Sequence, residues 1–235
     1  MSIVLGTWGN PNSDITLFDT SPTSHLIAHG AGKVKCFVCP GVFARGVRAT
    51  HGAVVIAEAL GEWCLVAAPT GLRLAMSFHE SLRAGGEKSS HEGHGIELAG
   101  QWVGVVAMRQ TVRAFLSLLA RLGCASRVYG HQLTDEAASP LGARKVPAID
   151  DLCAWADMVS NHAPTTPQTD RLLGAPQLAR LRDGALLIEL GPGWRNRSGC
   201  LACRIAVGPG PRRPWRLSAQ TIGARRSVAN ASICL

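Results

Sequence analysis

The sequence predicts an α/β protein built on a doubly wound parallel sheet with helical crossovers, and three features carry that expectation. The first is an apolar, β-branched run at residues 102–106. It is followed at helical spacing by Val112, Phe115, Leu116, Leu119 and Leu122, with Arg113, Ser117 and Arg121 on the opposite face. The second is the recurrence of short strand-like runs with helix-like segments between them across residues 98–190. The third is bulk: 235 residues, 46% apolar and 17% charged, can bury a sizeable core in one large domain or two small ones.

Residues 1–28 carry turn punctuation and little periodicity, so they read as loop with at most one short strand. Residues 54–68 read as a helix that Pro69 and Gly71 should end or kink. The glycine-rich polar stretch at residues 83–95 marks a surface loop or linker. After the central strand, turn and helix, residues 126–129 offer a second strand. Thr134 then stands as N-cap of a further helix, and another is expected at residues 149–155. A strand should follow Asp157 and stop at Pro164. Residues 169–181 are helical in pattern, and residues 185–189 form an apolar strand after the turn Asp183-Gly184.

Past Leu190 the grammar changes to Gly-Pro-Gly, Arg and Trp, with no element that can be placed and a disordered basic tail as the expectation. The net charge of +8 sits entirely there. Residues 191–235 hold eight arginines and no acid, whereas residues 1–190 hold 16 basic and 16 acidic side chains. A nucleic-acid contact with Trp194 and Trp215 as stacking groups is one reading of that tail; it is disfavoured because composition alone explains the charge. No uninterrupted apolar run of about 18 residues and no signal peptide is evident, so neither a membrane nor export is expected, and the cytoplasm is the default location.

The eight cysteines are expected to be reduced thiols in such a chain. Cys36 and Cys39 are echoed by Cys200 and Cys203, and two such pairs could supply four thiolates to one zinc. About 160 residues separate the pairs, a spacing that favours four small, partly buried thiols and no metal. His91 and His94 could bind a metal together, but exposed loop histidines more often bind nothing.

A strand running through a tight turn into a helix N-terminus can hold a pyrophosphate, because unpaired N–H groups and the helix dipole point at the anion. Glycines normally make the turn, admit the diphosphate and let helix and strand pack closely. Those three places are here Ala107, Arg109 and Val112, so the generic fingerprint is absent.

The run Ile149-Asp-Asp-Leu-Cys-Ala-Trp-Ala-Asp-Met-Val-Ser-Asn-His-Ala-Pro-Thr-Thr-Pro-Gln-Thr-Asp-Arg-Leu-Leu-Gly-Ala-Pro nevertheless closely resembles the D-isomer-specific 2-hydroxyacid dehydrogenases. In that family an Ala-Asp-hydrophobic-Val-Ser strand, a His-x-Pro turn, a Thr-Pro-x-Thr step and a Gly-Ala recur in this order. The likeness extends back through Val103-Gly-Val-Val, Glu97-Leu-Ala-Gly, Leu82-Arg-Ala-Gly-Gly, Ile56-Ala-Glu and Ala31-Gly32, and covers roughly residues 29–189. The resemblance implies a Rossmann-type NAD-binding domain at residues 98–190. A partial catalytic domain with linking helix would precede it at residues 1–97, and the irregular tail would follow at residues 191–235.

The resemblance also implies cofactor contacts at the turn Ala107, Met108, Arg109, Gln110, Thr111 and Val112, at the strand end Gly130 and His131, and at Ala163, Pro164 and Thr169. Substrate contacts would fall at Ala31 and Gly32. At Gly130 the family commonly has an acid that reads the adenosine ribose, so its absence weakens the preference for NAD over NADP. Arg109 could supply charge to a diphosphate or block its approach by bulk.

The family holds its substrate carboxylate with an arginine just after the strand that ends here at Glu189, and uses a glutamate-paired histidine further on as acid/base. Here Gly191-Pro-Gly-Trp stands in that place, the last histidine is His162, and no acid follows Glu189. Neither catalytic role is filled. A chain truncated or shifted out of frame at about Glu189 accounts for the ending, and the short N-terminus points the same way. The expected protein is a 2-oxo acid/2-hydroxy acid oxidoreductase by lineage, impaired or inactive. The alternative is a non-catalytic nucleotide-binding module or one that dimerises through residues 54–68.

Overall fold

The computed structural model describes residues 2–10, 15–32, 34, 38–86, 95–130, 133–164, 166–169, 171–190, 204–207 and 220–221. Two compact units divide the chain, residues 1–60 and 61–235.

In the first unit, β1 (Ser2–Gly6), β2 (Ser24–His29) and β3 (Arg48–His51) form a parallel three-stranded sheet in that order, with α1 (Ile15–Thr20) and α2 (Pro40–Ala44) between them. Phe18, Ile27, Val38, Val42 and Val47 make its core. The expectation of loop with one strand over residues 1–28 is therefore corrected to strand, helix and strand. These elements are five or six residues long, too short for periodicity to register, and burial of Phe18 and Ile27 decides them.

α3 (Ala53–Leu72) begins in the first unit and ends in the second. Pro69 does not end it; the helix runs on to Leu72, with the Thr70 hydroxyl donating to the Val66 carbonyl at 2.7 Å. By length and mean hydropathy (1.4) this helix could cross a membrane. It carries Glu58 and Glu62 on exposed positions, however, and buries Cys64, Ala67, Ala68 and Leu72. α4 (Ala75–Arg83) follows, entered through Leu74 at a φ of 54°.

The second unit is organised on a seven-stranded sheet of order β10-β9-β8-β7-β4-β5-β6. The five strands β8 (Leu186–Glu189), β7 (Met158–Asn161), β4 (Trp102–Val106), β5 (Ala125–Tyr129) and β6 (Ala143–Lys145) are parallel. Helices α5 (Gln110–Arg121), α6 (Asp135–Ala138) and α7 (Ile149–Trp155) and the short α8 (Ala175–Leu178) connect them. Val103, Val105 and Val106 of β4 are fully buried, as a central parallel strand requires. On one side Leu152 and Cys153 of α7 and its C-cap Ala156 pack with Val106, Val159 and Leu187. Gly104 permits this closeness: a Cβ there would stand 2.9 Å from Leu152 Cγ. Where α3 meets α5, a Cβ on Gly61 would stand 2.7 Å from Ala114 Cβ.

At the amino ends of the strands Trp102 and Trp155 stack, ring centroids 5.5 Å apart and planes 1° from parallel. Arg182 covers Trp102 at 4.4 Å and Arg127 covers Trp155 at 4.3 Å. The Arg182 guanidinium also donates to Asp157 at 2.8 Å, whose second oxygen accepts from the Trp102 N–H at 3.0 Å. The start of β4 is thereby pinned.

One sequence expectation changes in this unit, and three strands stand where none was foreseen. The helix over residues 169–181 shrinks to α8, because Arg171 takes a φ of 54° and Gly174 and Pro176 interrupt it; Leu172, Leu173 and Leu178 still pack on the core, so their spacing reports burial and not a helix. β6, three residues long, had no legible signal. The tail, expected to be irregular, contributes β9 (Arg204–Val207), antiparallel to β8, and β10 (Gln220–Thr221), antiparallel to β9. Backbone pairing along the β8 edge decides these, which composition cannot show.

Candidate cofactor site

The chain leaves β4 toward β5 on one side and returns to β7 on the other, so β4 and β7 flank a reversal of strand order. In open α/β sheets ligands bind at the carboxyl ends of the strands at such a point. The turns after β4, β5 and β7 meet there.

The β4–α5 turn holds Ala107 at a φ of 71°, the left-handed conformation that favours glycine and costs another residue about 1 kcal/mol. Its N–H donates to the Tyr129 carbonyl at 2.7 Å, tying the turn to the end of β5. The turn that glycine would make is thus made without one. Arg109 is the N-cap of α5, extended and exposed, and its side chain gives no capping hydrogen bond. The first-turn N–H groups of Gln110, Thr111 and Val112 have no intrahelical acceptor by the geometry of a helix start. Val112, at the third glycine place, is fully buried and serves the core.

Gly130 lies against the same turn; a Cβ there would be 3.6 Å from the Met108 nitrogen and 3.7 Å from Ala107 Cα. Beside it opens a cavity of about 420 Å³ lined by Tyr129, Gly130, Asp135, Lys145, Val146 and Pro147. Sequence reasoning singled out only Gly130 of these, because Tyr129 reads as strand, β6 was not legible and Asp135 reads first as a helix start. Thr134 does cap α6, accepting from the Ala137 N–H at 3.3 Å.

The third turn leaves β7. The His162 N–H donates to the Val106 carbonyl at 3.0 Å and the Ala163 N–H to Asn161 Oδ1 at 3.1 Å. The Thr169 hydroxyl donates to the Pro164 carbonyl and accepts from the Thr166 N–H at 3.0 Å, closing the loop on itself. Thr169 therefore shapes the turn that Ala163 and Pro164 present. His162 is enclosed, its Nε2 2.9 Å from Ser160 Oγ and its ring 6.2 Å from that of Phe115. Burial drives its imidazole down to about 3, so it is neutral. This Ser–His pair is structural, with no opening to a ligand.

Ala31 and Gly32 follow β2 in the first unit; the buried Ala31 accepts from the Gly52 N–H at 3.2 Å. Cys39, Cys124 and Cys153 are free, and burial raises the thiols of Cys124 and Cys153, the latter to about 11. Among the described residues no three His, Cys, Asp or Glu side chains converge as a metal site would need. His131, His91, His94, Cys36, Cys200, Cys203, Trp194 and Trp215 lie outside the described residues.

A left-handed turn, an uncapped helix start and a cavity beyond the next strand, all at the switch point of a parallel sheet, define a dinucleotide-binding domain of Rossmann type. Residues 67–197 match the model of the D-isomer specific 2-hydroxyacid dehydrogenase NAD binding domain. The chain belongs to that family.

It is 28% identical over 99 residues to D-3-phosphoglycerate dehydrogenase of Methanocaldococcus jannaschii, covering 42% of this chain and 19% of that protein. To the D-3-phosphoglycerate dehydrogenase of Mycobacterium leprae it is 29% identical over 195 residues, 83% of this chain and 37% of the relative. The chain thus spans well under half the length of these relatives. The solved structure of D-2-hydroxyisocaproate dehydrogenase superposes with a TM-score of 0.70 over 80% of this chain and 57% of that one, at 18% identity, a likeness of fold.

Proposed function

We propose that this chain binds NAD(H) across the carboxyl ends of β4, β5 and β7, and that its lineage function is interconversion of 2-oxo and 2-hydroxy acids, with turnover impaired or lost in the chain itself. The observation that carries this reading is the left-handed Ala107, which keeps the diphosphate turn open onto α5 although its glycines are replaced. The first-turn N–H groups of α5 would orient the diphosphate, and the exposed Arg109 would add positive charge without occupying the turn. Adenosine would occupy the cavity beside Gly130. The turn at Ala163 and Pro164, locked by Asn161 and Thr169, would border the other end. Bound there, the dinucleotide supplies the hydride.

The loss of turnover rests on the residue that should hold the substrate carboxylate: Gly191-Pro-Gly-Trp follows Glu189 where the resemblance implies an arginine. A reading frame shifted near Glu189 accounts for this. Finding an Asn-Thr-Ala-Arg-Gly-like continuation in another frame of the gene supports it, and its absence removes the explanation.

The test is an equilibrium titration with NADH and NADPH, following tryptophan fluorescence, and then an assay with 2-oxo acids. Saturable micromolar binding without turnover is expected. A folded sample that binds neither nucleotide overturns the reading. A second reading, self-association in the cytoplasm, is favoured by one feature: Val54, Val55 and Val66 of α3 are 57%, 75% and 63% exposed. Sedimentation of the wild type against Val55→Lys/Val66→Lys checks it; equal masses for both would sink the dimer.

A further inference from the structure

We infer that Asp135 reads the adenosine ribose of the bound dinucleotide, from a position on α6 five residues beyond the strand end where a Rossmann domain usually carries its acid, and that the chain therefore selects NAD(H) over NADP(H). The inference rests on the proposed NAD site and adds to it the residue that sets cofactor choice.

A ribose with free 2′ and 3′ hydroxyls needs an acceptor at the mouth of the cavity after β5. Gly130 has no side chain to offer. Steric demand does not explain the glycine, since a Cβ there would make ordinary contacts of 3.6–3.7 Å with Met108, Ala107 and Leu133. Its effect is to leave open the cavity that Asp135 also lines. That carboxylate is fixed at one end: Oδ1 accepts from the Lys145 N–H at 3.3 Å, joining α6 to β6. Among the described residues no hydrogen bond occupies Oδ2, which leaves it for a ligand hydroxyl.

Charge around the cavity argues against a 2′-phosphate. Among the described lining residues Lys145 is the cation and Asp135 the carboxylate, and Glu136, next in the chain, feels the Lys145 charge. Glu136 is held below its ordinary value by its own backbone N–H and the Thr134 hydroxyl, with the Lys145 ammonium as a smaller influence, so it is ionised at neutral pH. A dianionic phosphate entering here meets the Asp135 carboxylate, whereas a pair of hydroxyls meets an acceptor.

The experiment is a set of Kd measurements for NADH and NADPH with the full chain. Wild type should bind NADH at least tenfold more tightly than NADPH. Asp135→Ala should weaken NADH roughly tenfold, the loss of a charge-assisted hydrogen bond, and leave NADPH unchanged or tighter. Asp135→Asn, which keeps the acceptor for the Lys145 N–H, separates the ribose contact from folding of α6 and should lose the discrimination too. Adding Gly130→Asp to Asp135→Ala should restore it. Wild type binding NADPH as tightly as NADH, or an unchanged ratio in Asp135→Ala, overturns the inference while leaving the NAD site standing. Binding of neither nucleotide by folded wild type overturns both.

Discussion

Asn161 and Glu189 face each other in the register of β7 and β8, and the Asn161 amide donates to both carboxylate oxygens of Glu189, at 3.1 and 2.8 Å. The amide oxygen meanwhile accepts from the Ala163 N–H, and the Asn161 carbonyl from the Leu190 N–H at 2.9 Å. One buried side chain thus joins a buried carboxylate to the turn that would border the cofactor. Asn161→Leu strips two donors from that carboxylate and frees the Ala163 N–H, so it should cost about 2–4 kcal/mol in urea unfolding. Glu189→Gln keeps the shape and one partner, and should cost about 1 kcal/mol. Asn161→Leu/Glu189→Leu should be more stable than Asn161→Leu alone; equal stabilities would show that the pair is not coupled.

Neutral His162 makes stability depend on pH. Its folded value is about 3, against 6.5 in the unfolded chain. Between those values the unfolded state binds a proton that the native state refuses. Stability from this group is therefore fully present above pH 6.5 and is lost as pH falls toward 3, by up to ~1.4 kcal/mol per pH unit. His162→Asn should flatten the difference in urea midpoint between pH 7.5 and 5.5. If the variant keeps the wild-type slope, the imidazole is not the group responsible.

Close approach at two glycines gives predictions opposed to simple propensity. Gly61→Ala ought to favour α3 by about 1 kcal/mol, yet its Cβ would meet Ala114 Cβ at 2.7 Å and the Phe115 nitrogen at 3.1 Å. Net destabilisation of about 1–3 kcal/mol is expected. Gly61→Ala should be partly rescued by Ala114→Gly, which removes the nearest atom. Gly104→Ala, driven against Leu152 and Ala156, should behave likewise without a helix to favour it. A neutral or raised melting temperature for either single variant would show that the helices can separate at no cost.

The central sheet was legible because its signals are local and redundant. β4 and α7 fall at the predicted residues, and Thr134 caps α6 as its position suggests. What could not be read depends on partners distant in sequence. β6 and β9 are three and four residues long and exist through pairing with β5 and β8. Arg171 and Gly174 break a pattern whose leucines are apolar for the sake of the core. The sequence points to the turns at Ala107 and at Ala163 and Pro164, and the fold brings both to the carboxyl ends of the adjacent strands β4 and β7. Asp135 and Lys145, by contrast, become neighbours only when α6 folds back on β6, and the Asn161–Glu189 pair only when β7 and β8 align.

The β4–α5 turn offers the sharpest test of how much of the cofactor site persists. Ala107 keeps a φ of 71° although it carries a Cβ, so Ala107→Gly should relieve strain and raise stability by about 0.5–1 kcal/mol despite the greater freedom of the unfolded chain. Arg109 at the N-cap is exposed, with φ −133°, a conformation open to any residue, so Arg109→Gly should bring no such relief. Their effects on NADH should diverge as well. Ala107→Gly removes a methyl group beside the diphosphate path and should tighten binding a few-fold. Arg109→Gly removes a positive charge from the helix start and should weaken it about tenfold, more steeply at low salt than at high. If Arg109→Gly instead tightens NADH binding, the guanidinium is an obstruction in the turn and not a contact, and the site is a partly blocked remnant of the family's.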